Sequence, residues 1–125
     1  MDELLAQLIN QSPNLAPLLP GKVWIDSIPD TTTRPAVSLT RLPTTSEHSL
    51  SNRRLSRETS YQVYVSLSDN GQRQAVIDAV ENDLNNFSGE VDGTPIALVE
   101  VESHYPDNQQ QPQTWAEVFN LNLIY

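Results

Sequence analysis

Residues 55–67 read LSRETSYQVYVSL, and they run straight into SDNGQRQAVIDAVENDLNNF at 68–87. In the first stretch Leu55, Thr59, Tyr61, Val63, Val65 and Leu67 alternate with Ser56, Glu58, Ser60, Gln62, Tyr64 and Ser66. A period of two is the spacing of a β-strand with one face on a core and the other toward solvent or a neighbour. Arg57 alone interrupts the apolar set. Ser68-Asp69-Asn70-Gly71 then reads as a turn, and Asp69 with Gln72 three positions later resembles a capping box. Beyond it Val76, Ala79, Val80, Leu84 and Phe87 form a stripe at helical spacing that stops at Ser88-Gly89. A strand that feeds directly into an amphipathic helix predicts a helix packed back across its own sheet.

Outward from this unit, Leu4, Leu5, Leu8 and Ile9 predict an N-terminal helix, with Asp2 or Glu3 suited to its dipole and Pro13 ending it. Leu15, Leu18 and Leu19 suggest one more turn before Pro20-Gly21. Val23-Trp24-Ile25 reads as a short strand, and 26–35 as a polar linker. The bond Arg34-Pro35 forces extended geometry into a second strand over 36–42, where Val37 and Leu39 share a face and Pro43 closes the run. Residues 43–54 are polar and aperiodic, a long inter-strand loop. A C-terminal β-hairpin follows. Its arms are 96–104, with Ala97, Val99 and Val101 against Glu100 and Glu102, and 114–125, with Trp115, Phe119, Leu121, Leu123 and Tyr125 on one face. The residues between, 107–112, are expected to be a mobile polar tip. The expected fold is α+β, one domain over 1–125: a mostly antiparallel sheet with two helices packed on one face.

The charge is segregated. The chain of 125 residues has a net charge of −9 from seven basic and sixteen acidic residues. Five of the seven bases (Arg34, Arg41, Arg53, Arg54, Arg57) lie between 34 and 57, where Glu47 is the one acid, so that window carries +4. The remainder, Lys22 and Arg73 against fifteen acids, carries −13. The acidic total argues against a general nucleic-acid binder, which needs clustered bases to displace phosphate counterions. The split favours a molecule that meets others, including its own copies, in one orientation. An apolar fraction of 38%, below the roughly 45–50% of ordinary domains, fits either extended loop or a surface completed by other subunits. The absence of cysteine excludes disulfides, thiolate metal sites and Cys nucleophiles. Acids at the N-terminus and the lack of a long apolar run lead us to expect a soluble protein with no leader and no membrane contact.

Little in the sequence carries reaction chemistry. His48 and His104 stand apart from other metal-ligand residues and read as surface loop histidines. There is no nucleophile elbow, phosphate-cradling glycine loop or paired zinc motif. Glu100 and Glu102 could mimic a catalytic carboxylate pair, but a solvated, charged strand face that discourages edge pairing explains them more simply. We therefore expect no enzyme, no cofactor and no metal. The basic window is the candidate contact surface, against an acidic protein or passing DNA, the plainer alternative being a solvated loop.

The layout resembles the tail-terminator (tail-completion) proteins of long-tailed bacteriophages. The residues that carry the resemblance are Leu18-Leu19-Pro20-Gly21-Lys22-Val23-Trp24, Ile28-Pro29-Asp30, and Arg34-Pro35-Ala36-Val37-Ser38-Leu39. They continue through Arg57 to Val65, the helix from Gln72 to Phe87 and the closing hairpin. The resemblance implies a structural virion protein that forms a homohexameric ring at the head-proximal end of the tail tube. Such a ring stops tube polymerisation and offers a surface for head–tail joining. Implied partners are further copies of the chain, the tail-tube protein, the head-completion or connector protein and, transiently, DNA in the lumen. The implied location is the head–tail interface of the virion, and the host cytoplasm during assembly. A head-completion stopper or other neck-ring subunit is the alternative, a DNA-contacting accessory a more distant one. Arg41, Arg53, Arg54, Arg57, Glu100 and Glu102 are the candidate interface residues.

Overall fold

A computed structural model describes residues 2–19, 23–26, 28, 35–42, 58–67, 69–110 and 113–124. The elements are α1 (Asp2–Gln11), β1 (Val23–Ile25), β2 (Ala36–Arg41), β3 (Glu58–Leu67), α2 (Arg73–Asp83), β4 (Gly89–Val91), β5 (Thr94–Ile96), β6 (Leu98–Pro106), β7 (Gln109–Gln110) and β8 (Gln113–Ile124). The fold is α+β, with a main sheet in the order β1-β2-β3-β8-β6 and a separate β4–β5 ribbon. Among the described residues β1 and β2 pair parallel and the other pairs are antiparallel.

The long alternation at 55–67 fulfils its reading from Glu58 onward. Thr59, Tyr61, Val63, Val65 and Leu67 are buried, and β3 sits centrally with β2 on one side and β8 on the other. Its register with β8 pairs Val63 with Phe119 and Tyr61 with Leu121, so the large side chains of both strands lie on one face. There Leu5, Leu8 and Ile9 of α1 and Val76, Ala79 and Val80 of α2 join them in a single core cluster. Burial of each large apolar side chain contributes about 1.5–3 kcal/mol. We call this the inner face.

Both helices end by local devices. At the end of α1 the Ser12 hydroxyl donates to the Leu8 carbonyl at 2.7 Å, and Pro13 follows. Asp83 then ties the next turn to α2: its carboxylate accepts from the backbone N–H groups of Asn14 (2.7 Å) and Leu15 (2.9 Å) and from Asn14 Nδ2 (2.8 Å). The predicted cap at Asp69 is present, but on a 3₁₀ turn (Asn70–Gln72) that leads into α2, where Asp69 accepts from Gly71 N–H at 2.7 Å. The helix is shorter than its apolar stripe. Leu84 and Phe87 reach the core from the following turn, in which Asn86 adopts φ 64°.

The β4–β5 ribbon is an element the alternation reading missed. Asp92 and Gly93, with φ 49° and 79°, form its turn, and Val91 and Ile96 enter the core. An Asp-Gly pair between short strands is the local signal for such a hairpin. The C-terminal hairpin is present, its first arm shifted two residues later than expected and its second beginning one residue earlier. Its tip, expected to be a mobile polar turn, is drawn into strand pairing as far as Gln110 opposite Gln113. The inter-strand loop 43–54 lies outside the described residues.

Candidate interaction surface

The outer face of the sheet carries the residues between the core positions. At the end formed by the start of β2 and the end of β3, Ala36, Ser38, Ser66, Ala116 and Val118 are small or medium-sized and buried. The opposite end is open and polar. The Ser60 hydroxyl donates to Asn122 Oδ1 at 2.6 Å, Asn122 Nδ2 donates to Glu102 Oε1 at 2.5 Å, and Asn120 Nδ2 donates to Ser103 Oγ at 3.2 Å. Gln62 Nε2 donates to the Tyr105 hydroxyl at 3.1 Å, which ties β3 to β6 across β8. The described helices and the β4–β5 ribbon add their apolar side chains to the inner face.

The candidate glutamates fall at this open end. Glu100 pairs with Asn122 and is exposed; Glu102 is also exposed, at a register shift between Val101 and Ser103. Glu58, at the start of β3, is a third exposed acid on the same face. Among the described residues of this face the charged side chains are all carboxylates. Arg41 is exposed at the end of β2 but pairs with Tyr61 and so follows the inner-face phase. The structure therefore does not bring Arg41 together with the glutamates. Arg53, Arg54 and Arg57 lie outside the described residues.

The free side of β6 is closed against strand addition. Val99 N–H donates to the Phe87 carbonyl (2.9 Å), and Asn86 N–H donates to the Val99 carbonyl (2.8 Å). Val101 N–H donates to the Asn85 side chain at 3.1 Å. The left-handed turn at Asn86 brings this segment alongside β6. The bulge at Glu102 and the proline at 106 interrupt what remains of the ladder.

The bulge has a second effect, which overturns the reading of His104 as a loop residue. Past it the phase of β6 inverts, so His104 pairs with Phe119 on the inner face. Its ring packs on Phe119 with centroids 5.6 Å apart, and Nδ1 lies 2.6 Å from Glu117 Oε2. Glu117 occupies an inner-face position of β8 and is 1% exposed. Its other oxygen faces Arg73 Nε at 3.2 Å, in an alignment too poor for a hydrogen bond. Arg73, at the start of α2, also donates to the Ala116 carbonyl (3.2 Å) and to Asn108 Oδ1. One buried carboxylate thus joins the helix start to both arms of the C-terminal hairpin.

Sequence reasoning passed over this cluster. The available signal was an acid at position 117, in phase with Trp115, Phe119 and Leu121, together with an arginine opening the helix.

A carboxylate that holds one ring nitrogen of a histidine is also how a general base is oriented. Here the carboxylate also meets Arg73 and spans α2, β6 and β8, and no group of three metal-ligating side chains occurs among the described residues. We read the cluster as a structural clamp. A shallow cavity of about 230 Å³, lined by Glu3, Leu4, Gln7, Asp92 and Thr94, lies elsewhere, at the contact of α1 with the β4–β5 turn. No helix among the described residues is long and apolar enough to cross a membrane. No protein-family model matches the chain, and no curated protein matches it.

Proposed function

We propose that this chain is a structural assembly subunit of the tail-terminator type. It caps the head-proximal end of a phage tail tube as a homo-oligomeric, hexameric ring and presents the surface for head–tail joining. The observation that carries this reading is the pairing of opposites in one chain. Among the described residues, the charged side chains at the open end of the outer sheet face are all carboxylates, while the bases are concentrated in the 34–57 window. A closed ring requires heterologous contacts, in which one patch meets a different patch on the next copy. Segregated charge provides two such patches.

The closed β6 edge supports the same reading by limiting the alternatives. A subunit that grew by adding strands at this edge would need free N–H and C=O groups, and both groups of Val99 and the N–H of Val101 are occupied. Contact through faces, loops or the short β1 edge remains, and the faces and loops are where the charge lies. The bases of the window suit an acidic neighbour or tube surface before DNA, because the surrounding charge of −13 repels a phosphate backbone.

The test is a pull-down of the tail-tube subunit with the wild-type chain and with Arg53→Glu/Arg54→Glu, alongside light scattering of both. The expected result is tube binding and a salt-sensitive oligomer of about six copies for the wild type, both weakened in the variant. A wild-type chain that neither binds the tube subunit nor reduces tube length in an assembly reaction would overturn the proposal.

A further inference from the structure

The geometry points to a specific docking surface: the open end of the outer sheet face, around Glu58 and Glu100, receives the basic window of a second copy of this chain. This rests on the assembly reading above and deepens it by assigning the acidic half of the contact.

Several acidic positions compete for that role, and their partners together with their place in the fold separate them. Asp83 is engaged by Asn14 and Leu15, Asp78 by Gln74, and Glu117 by Arg73 and His104. Glu58 and Glu100, like Glu3, Glu81, Glu90 and Asp92, are exposed with no side-chain partner among the described residues; of these, Glu58 and Glu100 stand on the outer sheet face beside the Ser60–Asn122–Glu102 network. They stand on β3 and β6, two strand spacings apart across β8 and offset by two residues along the strands, roughly 12 Å in all. That separation lets two arginines of one segment address them together.

The ground between them is prepared for contact. The Ser60–Asn122–Glu102 chain fixes the polar side chains in place, so less side-chain entropy is lost on binding. Tyr105, one of two strongly exposed large apolar side chains among the described residues, borders the patch with its hydroxyl already bonded to Gln62. Tyrosine with adaptable polar neighbours is the composition of interface centres. An occupant of this patch must be basic, which excludes nucleic acid. The matching chemistry within this protein is its own +4 window. In a heterologous contact each copy uses its face for one neighbour and its window for the other, which propagates without leaving either patch unused.

Charge exchange tests the assignment. Glu58→Lys/Glu100→Lys and Arg53→Glu/Arg54→Glu are prepared separately, with circular dichroism and thermal melts to establish that both fold. Sedimentation velocity is run at about 20 mM salt, where surface charges are least screened. Each variant alone is expected to associate at least tenfold more weakly than wild type, and an equimolar mixture to recover association, since each face then meets an oppositely charged window. A mixture no better than its components would overturn the proposal. So would recovery seen only when all four substitutions share one chain, because the window would then contact its own face. A wild type that stays monomeric under these conditions also overturns it. Restored association without binding to the tail-tube subunit would leave this contact standing and remove the tail-terminator reading instead.

Discussion

Replacing Arg73 by leucine should unfold the protein far more easily than its place at the start of a helix suggests. Glu117 is 1% exposed, and its Oε1 atom faces only Arg73. Removing the guanidinium leaves a buried carboxylate with a single partner, His104. Breaking a buried pair in this way costs about 3–5 kcal/mol. Arg73 keeps 19% side-chain exposure, so water reaches one side of the vacated space and places the cost at the lower end of that range. Loss of the donations to Ala116 and Asn108 adds about 1 kcal/mol. We expect a destabilisation of about 3–4 kcal/mol in urea unfolding at neutral pH.

The double substitution Arg73→Leu/Glu117→Leu should cost much less than Arg73→Leu alone, because an apolar pair has no charge to desolvate. A double-mutant cycle should therefore return a coupling of about 2 kcal/mol or more. Salt at about 0.5 M should change the coupling little, since buried charges are weakly screened. If Arg73→Leu costs under about 1 kcal/mol, or the cycle closes additively, the cluster is a solvated surface pair and the clamp argument fails.

Other substitutions probe separate parts of the fold. Asp83→Ala removes the acceptor of three hydrogen bonds to Asn14 and Leu15, and should lower stability by about 2 kcal/mol in chemical denaturation; an unchanged midpoint would mean the turn holds without it. Gly93→Ala meets no steric obstacle but must adopt φ +79°, so a loss of about 1 kcal/mol in thermal melts is expected. Asn86→Ala, at φ 64°, should be destabilising for the same reason and should raise amide exchange at Val99, whose N–H is held by the adjoining Phe87 carbonyl. Phe119→Ala, in the fully buried centre of β8, should cost about 3–5 kcal/mol and would be refuted by a near-native melting temperature.

The elements with a clean period are legible in the sequence. Tyr61, Val63 and Val65 alternate because β3 has one face on the core, and Val76, Ala79 and Val80 recur because α2 lies across that face. The β4–β5 ribbon was legible too, had Asp92-Gly93 been weighed as a turn. His104 could not be placed in the same way. Its face depends on the bulge at Glu102, which inverts the phase of every later residue in β6, and no local pattern in 96–106 marks that insertion. The closure of the β6 edge was equally hidden, since it needs Asn85 and Phe87 to lie beside Val99 and Val101 in space.

The sequence by itself determined the fold class, the two helices, the central strands and the separation of basic window from acidic remainder. These follow from periodicity and composition, which are local properties of the chain. Only the tertiary structure decided which acids share the outer face, which edge is closed, and that Glu117 is buried between Arg73 and His104. Those depend on strand register and on a single inserted residue, and register arises from contacts between segments far apart in the chain.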